Sequence, residues 1–135
     1  HLHIAGRLDP HSTGLLLLSN DGQWSRKITQ PQAKLAKYCT VKVAHPITQD
    51  QVDGFNAGIY FAFENLTTLS AQLHVLLQTT AQVILKEGRY HQIKRMFGHF
   101  RNPVLDIHRT QVGHIKLPID FLLGDYKVVS DPMDF

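Results

Sequence analysis

The chain has 135 residues, 43% of them hydrophobic and 19% charged, with a formal net charge of +3 and nine histidines. That length gives one domain with room for a core, and the balance excludes a disordered chain. The single cysteine, Cys39, excludes an internal disulfide framework, and no apolar run approaches a membrane span. A reducing cytoplasm is the expected address, with no membrane partner.

Near the start of the chain lies Gly6-Arg7-Leu8-Asp9-Pro10-His11-Ser12-Thr13-Gly14, a loop composition with one carboxylate two residues after an arginine. A fixed carboxylate beside a cation suits nucleophilic or acid–base chemistry, although a lone Asp in such a loop also serves as a turn or cap residue. Residues 14–19 read as a buried strand, because the four leucines Leu15 to Leu18 are not expected to face water. Asn20-Asp21-Gly22 predicts a turn, with Asn20 or Asp21 capping a helix to about Ile28 that turns Trp24 and Ile28 inward. Gln30-Pro31 ends it. Residues 37–44 alternate as a strand, with Cys39, Val41 and Val43 opposed to Thr40 and Lys42.

Thr48 predicts the cap of a second helix, with Val52 and Phe55 on its apolar side and Gly58 as its stop. Residues 59–63 read as a strand and residues 65–68 as a loop. Residues 71–77 and 81–86 read as antiparallel strands about Gln78-Thr79-Thr80. Tyr90, Ile93, Met96, Phe97 and Phe100 form one stripe of a helix over residues 90–100. Lys94 borders that stripe, while Arg95 points away from it. Residues 104–112 predict a long strand and residues 126–129 a last short one. More strands than helices, joined by short turns, predict an α+β domain with a mixed or antiparallel sheet.

Residues 86–101 hold Lys86, Arg89, Lys94, Arg95 and Arg101 against one acid, Glu87, with His91 and His99 added. Polyanions are the natural partner of such a patch. Cys39 reads as a small buried apolar residue and not a nucleophile. His1, His3 and His11 share their spacing with no Cys or acid cluster, so no metal is expected. His108 and His114 read as surface or hydrogen-bonded core residues.

The block from Gly6 to Gly22, the block Glu87-Gly88-Arg89-Tyr90-His91-Gln92-Ile93-Lys94-Arg95-Met96-Phe97, and the set Arg109, Gly113, Leu117-Pro118 together resemble the motifs of RNA pseudouridine synthases. The likeness is greatest to the branch that modifies ribosomal RNA of the small subunit, the synthase A type. It implies that fold's catalytic domain over residues 1–135: a mixed, mainly antiparallel sheet with a few flanking helices. The family's N-terminal strands and upstream RNA-binding domain are expected to be missing. It implies isomerisation of a uridine to pseudouridine in ribosomal RNA of the small subunit or an assembly intermediate, with no cofactor or metal; separately from the resemblance, a monomer is the simplest expectation. Asp9 corresponds to the catalytic aspartate and Lys94 to the cation beside it. Arg7 corresponds to the residue that fills the space of the flipped base. Arg89, Arg95 and Arg101 are expected on phosphates, and Leu8, Ile93 and Leu117 around the pocket. The family's stacking tyrosine falls in a Lys-x-Tyr run, whereas here Lys37-Tyr38-Cys39 brings the ring one residue early. A bulge is needed to turn Tyr38 into the site. Without it, the rival reading is an RNA-binding, synthase-like module with weak or no turnover.

Overall fold

The computed structural model describes residues 2–30, 33–89 and 91–129. His1, the helix stop at Pro31 and the stripe position Tyr90 lie outside the described residues. Ten strands and three helices are formed among those described.

The main sheet is built on β4 (Lys37–Val43), flanked by β8 (Thr80–Leu85) and β9 (Val104–Val112), both antiparallel to it. β7 (Gln72–Leu77) forms a hairpin with β8 and makes one edge. The far edge of β9 is shared by β10 (Ile115–Lys116), antiparallel, and β2 (Thr13–Gly14), parallel. The sheet is therefore mixed but mainly antiparallel, and the α+β expectation holds. α2 (Gln49–Ala57) and α3 (Gln92–His99) cover one face. Phe55 of α2 and Phe97 of α3 meet at 4.8 Å between ring centroids, tilted by 54°. Ile93, Met96 and Phe97 join Cys39, Val41, Val43, Val83 and Ile107 from the strands in one core.

A second, two-stranded ribbon pairs β1 (His3–Ala5) with β3 (Leu17–Ser19), and α1 (Gly22–Thr29) packs on it. Asp21 caps α1, its Oδ1 accepting from the amides of Gln23 and Trp24 at 3.0 and 3.2 Å. Trp24 and Ile28 are half-buried.

Five expectations are corrected. Residues 14–19 are not one buried strand: Leu15 is buried, but Leu18 is 53% exposed and its cross-strand partner Ile4 58%. A two-stranded ribbon with a helix on one side leaves its other face open. The strand over residues 59–63 shrinks to β5 (Tyr60–Phe61), and the loop over residues 65–68 contains its partner β6 (Leu66–Thr67). Residues 126–129 form no strand and are exposed; β2 and β10 already occupy the outer edge of β9. The predicted helix over residues 90–100 begins at Gln92 and ends at His99.

Candidate active site

Asp9 sits in the loop between β1 and β2. The amide of Ser12 donates to the carbonyl of Asp9 at 2.9 Å, closing a four-residue turn with Pro10 in its second position. Proline's fixed φ suits that place. The end of the loop is tied down by β9: Thr13 Oγ1 lies 2.7 Å from His108 Nδ1, and the Leu15 amide donates to the Arg109 carbonyl at 2.8 Å. This crossing is so close that a methyl group at Gly14 would stand 2.1 Å from that carbonyl oxygen, and φ at Gly14 is +113°. Glycine meets both demands.

The side chain of Arg109 ties the loop a second time. It is 6% exposed. Nε and Nη2 donate to the Leu15 carbonyl at 3.0 and 2.8 Å, and Nη1 donates to the Arg7 carbonyl at 3.1 Å. Burial lowers its pKa, but a guanidinium stays charged.

The side chain within ion-pair distance of Asp9 is His91, and not Lys94. His91 Nε2 lies 3.9 Å from Asp9 Oδ1, with both side chains about one-third exposed (31% and 32%). His91 precedes α3 in the left-handed conformation, φ +47° and ψ +39°, which turns the chain into the helix. Lys94, three residues on, shares that side of the helix. It lines a cavity of about 240 Å³ with His11, Ser12, Asp106 and Ile107 among its walls. Lys94 thus flanks the segment that follows Asp9, and no ion pair joins it to Asp9 among the described residues.

The basic stretch is only partly available to a ligand. Arg95 pairs with Glu64 and lies 3.9 Å over the Phe61 ring. Arg89 Nε pairs with Glu87 at 3.1 Å. The other oxygen of Glu87 accepts from the Leu69 amide at 2.7 Å and from Gln92 Nε2 at 2.9 Å, so this acid organises the start of α3. Arg7 and Arg101 are exposed.

Tyr38 does not come round to the loop. An irregularity does fall at Tyr38 and Cys39, but the extra residue is Thr110 on β9; against β8, the strand β4 pairs without interruption. Alternation therefore holds on β4. Cys39 faces the core in register with Arg109, and Tyr38 faces the opposite side. Burial pushes the Cys39 thiol up to about 11, although Arg109 and Lys37 pull the other way. Burial, then Arg109, lowers the pKa of Lys37. Of the expected pocket residues, Ile93 belongs to the core, Leu8 is half-buried in the loop, and half-buried Leu117 donates its amide to the Thr110 carbonyl at 2.8 Å. His91 and Arg109 were not singled out as site residues. A buried arginine is hidden in sequence because strand alternation gives its face but not its partners.

A model of the RNA pseudouridylate synthase family matches residues 1–99. The chain is 54% identical over 116 residues to the ribosomal small subunit pseudouridine synthase A of Pseudomonas aeruginosa, covering 86% of this chain and 50% of that protein. It is 39% identical over 130 residues to the protein of the same name from Escherichia coli (strain K12), covering 96% and 56%. A solved structure described as a pseudouridylate synthase superposes with a TM-score of 0.91 at 39% identity, over 93% of this chain and 55% of that one. The chain thus spans about half the length of the curated relatives it matches. The sequence motifs, the sheet and these matches agree, and the chain belongs to the RNA pseudouridylate synthase family.

Proposed function

We propose that residues 1–135 form the catalytic domain of a synthase that converts a uridine of small-subunit ribosomal RNA to pseudouridine. The observation that carries this reading is the Asp9 loop: one carboxylate in a turn anchored to β9, facing His91 at 3.9 Å and flanked by Lys94. The names of the relatives support ribosomal RNA as substrate and favour turnover over binding alone.

The reaction breaks the bond between N1 and C1′, turns the base and joins C5 to C1′, so C5 loses its proton and the freed N1 takes one up. Asp9 is the group that acts on the nucleotide. A cation nearby favours its charged form; Lys94 supplies positive charge from α3, and the His91 ring faces the carboxylate at 3.9 Å. The base must leave the RNA stack to reach it. In this reading Arg7 enters the vacated space and Arg101 meets phosphate; the exposure of both side chains supports it. Tyr38, on the far face of β4, takes no part. Ribosomal RNA as substrate implies work in the cytoplasm.

The test is tritium release from ribosomal RNA labelled at C5 of uridine. Wild type is expected to release tritium, and Asp9→Asn to release none while binding RNA with affinity within about twofold, because a neutral amide keeps the shape but not the charge. Release by Asp9→Asn at the wild-type rate would sink the assignment.

A further inference from the structure

Arg109 carries a cost that packing alone does not explain. It is buried, and no carboxylate lies within ion-pair distance of it among the described residues. A buried charge without a counter-ion is expensive, and an apolar side chain would fill the same space at lower cost. The guanidinium instead faces two carbonyl oxygens, those of Arg7 and Leu15. These residues bracket the Asp9 turn, one on each side. Both ends of the loop are therefore held by one rigid, planar group. That group grows from β9 at the point where β2 pairs with it and the Leu15 amide returns a bond to the Arg109 carbonyl.

We propose that Arg109 is the positioning residue of the Asp9 loop, fixing the carboxylate against the sheet so that it meets the substrate in one geometry. It touches neither substrate nor Asp9 and acts through the backbone at Arg7 and Leu15. This rests on the reading of Asp9 as the reacting group.

Arg109→Lys in the intact protein tests it. An ammonium keeps the charge but cannot span both carbonyls. The expected result is a fall in kcat of roughly 10- to 100-fold, as for a small misplacement of a reacting group. KM and RNA affinity are expected to stay within about twofold. Amide exchange at Ser12, the donor that closes the Asp9 turn, is expected to quicken about tenfold while that of Val41 in the core stays unchanged. Should Arg109→Lys not fold, Thr13→Val, which frees the same loop from His108, is expected to show the same pattern. An unchanged kcat with an active wild type overturns the proposal, as does a loss of RNA affinity that matches the loss of rate. Unchanged exchange at Ser12 overturns it whatever the activity. An inactive wild type with quickened Ser12 exchange instead overturns the synthase reading and leaves the loop tether standing.

Discussion

Lys37, Cys39 and Arg109 lie close enough along β4 and β9 for their charges to act on one another. Two cations would ordinarily draw the proton from a thiol, yet burial prevails and lifts Cys39 from 9.0 to about 11. The thiolate is the reactive form, so native Cys39 is expected to resist iodoacetamide at pH 8 and to react only as fast as the protein unfolds. Rapid labelling of the native protein would contradict the burial argument. The same shift sets a pH window. The folded state holds the Cys39 proton more tightly than the unfolded state, so this stabilisation is complete below pH 9.0 and is lost as pH rises to about 11. Burial lowers Lys37 and works with the opposite sign, which makes Cys39→Ala the right reference. Wild type should lose more stability than Cys39→Ala across that window in denaturant titrations. The sequence already marked Cys39 as small, buried and inert. It did not reveal that Arg109 faced it, because Arg109 lies seventy residues further along the chain.

At the scale of elements, the site depends on a strand of two residues. β2 offers too little length for any periodicity, and β6 and β10 escaped the sequence reading for the same reason. The long elements were legible: β4, β7, β8, β9, α1 and α2 lie close to where alternation and caps put them, and α3 is a shorter form of the helix its apolar stripe predicted. The bulges on β9 were not, since nothing in Thr110 marks it as the extra residue opposite Tyr38 and Cys39. Those bulges also split Gln111 from Arg109, which strict alternation would keep on one face. Gly14 is the place where this geometry can be tested. Gly14→Ala must push β2 off the Arg109 backbone and adopt a positive φ, at an expected cost of about 2–4 kcal/mol. Chemical denaturation measures it. A loss under about 0.5 kcal/mol, the ordinary surface value, would mean that β2 does not cross β9 this closely.

For the whole molecule, composition gives the charge, but the fold decides how much of it reaches a ligand. The basic stretch over residues 86–101 looks like one patch in sequence, yet its arginines divide. Arg95 is engaged by Glu64 and Phe61, both brought to it from the region of β5 and β6. Arg101, just past α3, is exposed. Each phosphate neutralised on single-stranded nucleic acid contributes about 0.7 to the slope of log K against log salt. Arg101→Ala is therefore expected to reduce the magnitude of that slope for ribosomal RNA by about 0.7 with little change in thermal stability. Arg95→Ala is expected to leave the slope unchanged and to cost about 1 kcal/mol of stability, through the lost contacts with the Phe61 ring and Glu64. Binding titrations between low and moderate salt, paired with thermal unfolding, separate the two. Equal reductions in slope would place Arg95 on the RNA as well, and would mean that RNA draws it away from Glu64.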